Sequence, residues 1–401
     1  MKITLVLPCL LLSGGVRTFF ECANGLRRRG HKVTVVYPSF RLTKPSRFEP
    51  DTMTMLAKEA LRELSHKPRI NWFPLEAELC RVPFLNSPLI SLVEHKIPDA
   101  DVVVASTWES AYSVARLSPS KGRKAYFVQH YEAMGLWNNE DCWRLALQEN
   151  PAPRGIFRSM AGITPPTAIL RRHKKLVDAS YSLPLAKFTT SVVLEELITG
   201  CFRQPSFGRI PIGNNTAIFY PEGAKAARNV ILIPFRGFGW KGSADVLELI
   251  RILKSRRNDF QVILFGHESM RQAVPAGIDF RGSISDAELR RLYTQADIFV
   301  SPTWVEGWCS PPMEAMSCGT ACVSTDVGAL SEFADDGKTA LLVPPRSPEK
   351  MADAVCRLLD DKALRAKLAG AGQEKISAYT WDRAAGAMEK ILTAVADGQA
   401  S

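Results

Sequence analysis

The 401 residues include nine cysteines and carry a formal net charge of +10; a chain this long buries a core without covalent staples, which excludes a disulfide-built scaffold. No apolar run reaches the roughly 20 residues that cross a bilayer, which excludes a spanning helix. The charge is uneven, with 27 Lys+Arg against 18 Asp+Glu in residues 1–200 and 24 against 23 in residues 201–401, so an anionic partner is expected on the first half.

In chain order, the first element is LVLPCLLLSGGVR, Leu5 to Arg17, which reads either as the apolar core of a secretory signal or as a buried strand feeding a Gly14-Gly15 turn. A signal needs a charged start, about 7–15 apolar residues and a small-residue cleavage site. Here Lys2 is the only early charge, Pro8 interrupts the run and no A-x-A follows. The cysteines are odd in number, with no Cys-x-x-Cys and no regular spacing, and read as reduced, mostly buried small hydrophobes of a reducing compartment. The expectation is a strand whose removal would destroy the fold, in a cytoplasmic protein.

Lys2 to Pro8, His31 to Pro38, Ala100 to Thr107 and Lys124 to His130 are apolar runs of strand length. Between the first two, TFFECANGLRRRGH predicts a helix with Phe19, Phe20, Ala23 and Leu26 inward and Gly30 at its C-cap. A Gly/Pro/Asn-rich passage, Arg209 to Gly223, precedes a second series: Asn229 to Phe235, Phe260 to Gly266, Ala296 to Thr303 and Thr320 to Asp326. Strands alternating with helices predict an α/β protein of two Rossmann-like domains, with parallel sheets facing across a cleft and the active site in that cleft. Residues 41–75 and 131–175 break the alternation and are expected to shape the acceptor side.

The motifs that carry chemistry fall at strand ends. Gly14 and Gly15 follow the first strand, where backbone N–H groups and a helix dipole approach a phosphate; a tight strand-to-helix turn explains the pair equally well. In ILIPFRGFGWKGSADVL, Arg236 and Lys241 flank a glycine-broken loop that enters a helix near Ser243. They place a bidentate fork and a point charge at the C-terminal edge of the second sheet, suited to a diphosphate without a metal. In TWVEGWCSPPMEAMSCGT, Glu306 and Glu314 stand eight apart. Ser310 as N-cap and Pro311 as the first helical residue would put Glu306 in the loop and Glu314 in the first helical turn. Dipole preference alone accounts for Glu314 but not for Glu306. Asp99-Ala100-Asp101 precedes a strand, the wrong end for the cleft, so neither metal nor cofactor is expected.

Taken in order, these motifs resemble the retaining glycosyltransferases of the GT-B fold, family 4 (glycosyl transferases group 1). The resemblance is carried by GGVRTFFECANGLRRRGHKVTVV, the R-x4-K pair Arg236 and Lys241, FRGSISDAELRRLYTQADIFVSPT, the E-x7-E pair Glu306 and Glu314, and AYTWDRAA near the end. It implies an acceptor-binding domain over 1–207, a nucleotide-sugar domain over 208–380 and a last helix, 381–401, crossing back onto the first. It implies that Glu306 touches the donor sugar's hydroxyls, with Gly307, Trp308, Cys309 and Ser310 around it, and that Glu314 holds the ribose. Arg236, Lys241 and the Gly14-Gly15 backbone would hold the diphosphate, and His130 would lie beside the reacting sugar. Base contacts are expected near Gly266, Arg281, Ser283 and Ile284.

Breaking a sugar–diphosphate bond leaves positive charge on the sugar and negative charge on the leaving group, which the two cations and the helix N-termini meet. The implied reaction is retaining, metal-independent transfer from a UDP-, GDP- or dTDP-sugar to a hydroxyl of a glycan or lipid-linked acceptor in cell-surface polysaccharide assembly. The basic first half suggests an anionic membrane surface, with the protein peripheral on its inner face. Nucleic acid is not expected, because no aromatic-plus-basic motif accompanies the charge. Alternatives are a nucleotide-sugar 2-epimerase, for which no proton-transferring set is evident, and a non-catalytic scaffold, which would have lost Arg236, Lys241 or Glu306. The chain departs from the family at Cys309, where a second glycine is usual, and at Ile212 and Asn215, where the hinge motif has Asn and Asp. Trp308 is expected either to narrow the sugar pocket or to pack.

Overall fold

The structure, a computed structural model, describes residues 1–11, 13–38, 70, 72–83, 93–133, 168–223, 225, 229–237 and 239–398, the side chains of 168–173 excepted. The two stretches expected as insertions fall largely outside these.

Strands β1 (Lys2–Val6), β2 (Lys32–Pro38), β3 (Glu78–Val82), β4 (Val102–Ala105), β5 (Arg123–Val128), β6 (Ala186–Thr189) and β7 (Ser206–Arg209) form one parallel sheet, ordered β3-β2-β1-β4-β5-β6-β7. Ile3 pairs with both Val33 and Val102. The runs of β1, β2 and β4, rich in β-branched residues, are buried on both faces, as a parallel sheet between helix layers requires. Strands β8 (Val230–Pro234), β9 (Gln261–Phe265), β10 (Asp279–Arg281), β11 (Ile298–Ser301), β12 (Ala321–Thr325) and β13 (Leu341–Val343) form the second parallel sheet, ordered β10-β9-β8-β11-β12-β13. The expected class, two Rossmann-like units, is the one observed. The strands that the sequence pattern does not reveal are short or polar: β3, β6, β7, β10 and β13.

Helix α1 (Gly14–Arg28) is capped by Ser13, whose Oγ accepts from the Val16 N–H at 3.3 Å. Gly14 and Gly15 are therefore its first two residues, not a turn ahead of it, and their N–H groups have no intrahelical acceptor. Phe19, Phe20, Ala23 and Leu26 are fully buried; each large side chain contributes about 1.5–3 kcal/mol. α2 (Trp108–Ala115) and α3 (Ala168–Tyr181) pack together, with α2 against β4 and β5, and α4 (Val192–Glu196) lies by β6 and β7. In the second unit the helices are α5 (Ser243–Arg256), α6 (Asp286–Gln295), α7 (Ser310–Ser317), α8 (Leu330–Phe333), α9 (Pro348–Asp360) and α10 (Lys362–Ser377). α5 and α9 cover one face of its sheet, where Leu249, Leu253, Met351 and Val355 join Ile231 and Val300 in one core cluster.

The last helix, α11 (Trp381–Ala396), packs along α1 and reaches β4, β5 and β7. The crossing is close: a Cβ on Gly25 would stand 2.4 Å from Ala385 Cβ. Arg29 and His31 both bind Glu389, at 3.1 and 2.7 Å. β7 runs to Arg209, past the boundary expected at 207. Among the described residues no helix is long and apolar enough to cross a membrane, and the described cysteines are free thiols.

Candidate active site

The C-terminal edges of the two sheets flank a cavity of about 540 Å³, within the usual range of a small-molecule site. Its walls are the start of α1, the segment after β5, the loops after β8 and β11, and the start of α7. Gly14, Gly15, His130, Arg236, Lys241, Glu306, Gly307, Trp308, Cys309, Ser310 and Glu314 all line it. Gly266, Arg281, Ser283 and Ile284 lie outside the lining. Arg281 instead forks onto Asp279, with two bonds of 2.9 Å, and Gly266 abuts the Phe235 carbonyl.

At one end of the cavity, Lys241 Nζ reaches Glu306 Oε1 at 2.5 Å, and Thr303 Oγ1 donates to the same oxygen at 3.2 Å. Burial alone would push the Glu306 carboxyl up, but the charge and hydrogen bond of Lys241, with His130 and Arg236, hold it below the usual carboxylate range. It is an anion at neutral pH, able only to accept. His130, just past β5, has its pKa lowered to about 4 by burial, with Glu306 opposing and Lys241 adding, so the imidazole is neutral at pH 7. The two loops touch. A Cβ on Gly307 would lie 2.1 Å from the Gln129 carbonyl oxygen, so only glycine fits after Glu306. Gln129 Nε2 also donates to the Gly15 carbonyl at 3.3 Å, tying the start of α1 to the histidine segment. Behind it, Glu132 accepts from the Trp108 N–H at 2.6 Å and the Tyr126 hydroxyl at 2.7 Å.

At the other end, α7 begins at Ser310 with Cys309 as its N-cap, at φ +77° and ψ +70°, and Pro311 in its first turn. Ser310 is therefore not the cap, and Glu314 lies in the second helical turn, because the left-handed backbone at Cys309 starts the helix one residue early. The Cys309 side chain enters the core 3.7 Å from Ser301 Oγ, and burial pushes its thiol up to about 12. Trp308 packs: its Nε1–H points at Met313 Sδ, 2.8 Å away, and its ring lies against Phe333 and Tyr379. Glu314 Oε2 accepts from the Tyr293 hydroxyl at 3.0 Å. Burial raises the Glu314 carboxyl above its ordinary value, partly offset by that bond and by Arg17 and Arg236.

Between these ends, Ser243 Oγ accepts from the Arg236 N–H at 3.2 Å and donates to the Arg236 carbonyl at 2.5 Å. The loop is thus fixed, while the guanidinium makes no hydrogen bond among the described residues. Arg17, in the first turn of α1, crosses the cleft to pair with Asp286 at the start of α6. Sequence spacing could not pair residues 269 positions apart, but a cation beside a helix N-terminus opposes the dipole, and that misfit was a readable signal. Asn215 Nδ2 faces Glu21 Oε1 at 3.5 Å, a place where an aspartate would meet a second carboxylate; Ile212 is buried. Asp101 accepts from the Lys2 N–H at 2.7 Å and Asp99 pairs with Lys121 at 2.8 Å, at the edge of the sheet away from the cleft.

A sequence model described as Glycosyltransferase Family 4 matches residues 12–160, and one described as Glycosyl transferases group 1 matches residues 214–375. The chain belongs to this family of GT-B glycosyltransferases. Among relatives, the phosphatidyl-myo-inositol mannosyltransferase of Mycobacterium tuberculosis (strain ATCC 25618 / H37Rv) is 28% identical over 167 residues, 39% of this chain and 44% of that protein. The D-inositol 3-phosphate glycosyltransferase of Arthrobacter sp. (strain FB24) is 29% identical over 197 residues, 44% and 47% of the two. The chain thus spans less than half the length of these relatives. In fold it is similar over 99% of its length to all of a sucrose-phosphate synthase from Thermosynechococcus elongatus (TM-score 0.66, 18% identity). It is likewise similar over 98% of its length to all of Anabaena Alr3699/HepE in complex with UDP (TM-score 0.68, 14% identity). At these identities the likeness to these structures is one of fold.

Proposed function

We propose that the protein transfers a sugar from a nucleoside diphosphate sugar to a hydroxyl acceptor, with retention and without a metal. The observation that carries this reading is the convergence, in one cavity, of the Arg236 guanidinium, the Lys241–Glu306 pair and the glycine start of α1. Arg236, Lys241 and the first N–H groups of α1 meet the charge on the departing diphosphate; each well-placed donor of this kind contributes roughly 2.7–4 kcal/mol. Two cations beside the leaving group supply what a metal would otherwise supply. Glu306 accepts from sugar hydroxyls and faces the positive charge that develops on the ring, and the neutral His130 orients the same sugar.

The bond from the anomeric carbon to the phosphate oxygen breaks as the bond to the acceptor oxygen forms on the same face, and the acceptor's proton passes to the departing phosphate. Glu306, engaged by Lys241 and Thr303, is a poor covalent nucleophile, which supports this course. The basic first half, and a relative named for phosphatidyl-myo-inositol, support a glycan or lipid-linked acceptor at an anionic membrane surface.

The test is calorimetry and mass spectrometry on the purified chain with UDP-, GDP- and dTDP-sugars in the presence of a chelator. One donor is expected to bind and to hydrolyse slowly to a product of unchanged anomeric configuration, with both properties weakened in Glu306→Ala and Lys241→Ala. A glycosyl adduct trapped on Glu306, or abolition by the chelator, would overturn the mechanism. Failure of every donor to bind would overturn the enzyme reading.

A further inference from the structure

Tyr293 sits directly behind Glu314. Its ring is fully buried, edge-on to Phe219, Phe265 and Phe299 with centroids at 5.9, 6.3 and 5.3 Å, and its carbonyl accepts from Thr320 Oγ1. From this socket the hydroxyl donates to Glu314 Oε2 at 3.0 Å. Glu314 Oε1 makes no hydrogen bond among the described residues, although the residue lines the cavity. Packing alone would be served by phenylalanine, so the hydroxyl's work is on the carboxylate: it occupies one oxygen, limits rotation and leaves the other oxygen unengaged.

We infer that Tyr293 is a positioning residue that fixes the Glu314 carboxylate to accept from a ribose hydroxyl, and that the site thereby selects ribonucleoside over 2′-deoxyribonucleoside diphosphates. The inference rests on the reading of Glu314 as the ribose-binding group. A site built around a hydrogen bond rejects an analogue lacking the partner far more strongly than an apolar pocket rejects a change of size, because its polar group is then left unpaired. The carboxylate here is half-buried, its Oε2 is already engaged, and a 2′-deoxy sugar offers Oε1 one donor fewer. Of the donors with the same diphosphate, UDP- and GDP-sugars fit and dTDP-sugars do not.

The experiment compares calorimetric affinities of UDP, GDP and ADP with those of dUDP, dGDP, dADP and dTDP. Wild type, Tyr293→Phe, Glu314→Gln and the double variant are each measured. Wild type is expected to prefer the ribose form of the base it binds by about 10- to 100-fold, the range of one hydrogen bond to a charged group. Tyr293→Phe keeps the ring and is expected to shrink that preference severalfold, with no further effect in the Glu314→Gln background. Glu314→Asp withdraws the carboxylate from the hydroxyl without disturbing the aromatic socket and is expected to lose the preference likewise, which covers a failure of Tyr293→Phe to fold. An unchanged ribose-to-deoxyribose ratio in Tyr293→Phe, or an equal loss in both backgrounds, overturns the role of Tyr293. A wild type indifferent to the 2′-hydroxyl overturns the selection. Failure to bind any nucleotide takes down the nucleotide-sugar reading of the cleft, and this inference with it.

Discussion

Glu306 and Glu314 stand eight residues apart and line one cavity, yet their carboxyls are displaced in opposite directions. At Glu306, burial is outweighed by an ammonium at 2.5 Å. At Glu314, burial wins over a phenol at 3.0 Å and the guanidinium groups of Arg17 and Arg236. The two ends of the cavity are therefore built on different principles. On the proposed function, the end where charge would develop keeps a preformed ion pair whose members need no reorganisation. The end proposed to recognise a neutral hydroxyl keeps a carboxylate with unused accepting capacity.

Breaking the charged end should have the largest effect. Lys241→Ala strips Glu306 of its counterion and, on the proposed mechanism, removes a donor to the leaving diphosphate; the expected loss in kcat is on the order of 10²–10³-fold, read by release of nucleoside diphosphate. Lys241→Arg keeps the charge but replaces a point ammonium by a planar fork, and should recover only part of the loss. A loss below tenfold in Lys241→Ala would mean that the pair serves the fold rather than the reaction.

The opposite displacements also predict opposite effects on stability. The folded Glu306 carboxyl titrates below its unfolded value, so its contribution is present above about pH 4.3 and lost as pH falls through the folded value. The folded Glu314 carboxyl titrates above its unfolded value, so its contribution is complete below about pH 4.3 and lost as pH rises through the folded value. At pH 7, Glu306→Gln should lower the melting temperature and Glu314→Gln should raise it, each by a few °C. Both differences should shrink on acidification toward pH 4 and below. Shifts of the same sign at pH 7 would dissolve the contrast.

Much of this arrangement was legible in the sequence. Short, largely apolar runs ending mostly in a turn or polar residue marked the main strands and put Arg236, Lys241 and Glu306 in the loops that leave strand ends, hence on the cleft. Other contacts of the site were not legible, because Tyr293 meets Glu314, and Arg17 meets Asp286, only through packing of separate elements. Arg281 is a different case. Asp279 and Arg281 are two apart on β10 and so share a face, and their pairing was readable from that spacing. Ser310-Pro311 read as a helix start because those residue types favour it, whereas a cysteine at positive φ leaves no trace in composition or spacing; its one signal was the glycine usual at that position in the family it resembles.

That cysteine supports the smallest expected effect. At φ +77°, Cys309 occupies the left-handed region, which costs a residue with a Cβ roughly 1–2 kcal/mol. Cys309→Gly relieves this cost, but it enlarges the unfolded ensemble by about 0.4–1 kcal/mol and removes the buried thiol beside Ser301. These contributions nearly cancel, so the melting temperature should move by no more than about 2 °C, and donor affinity should not change, because the backbone already runs as glycine would. Cys309→Val puts a β-branched side chain in the same conformation and should destabilise by about 1–3 kcal/mol. The pair of variants separates backbone from side chain at the boundary between the two ends of the cavity. A tenfold change in donor affinity in Cys309→Gly would show that the thiol, and not only the path of the chain, shapes the sugar site.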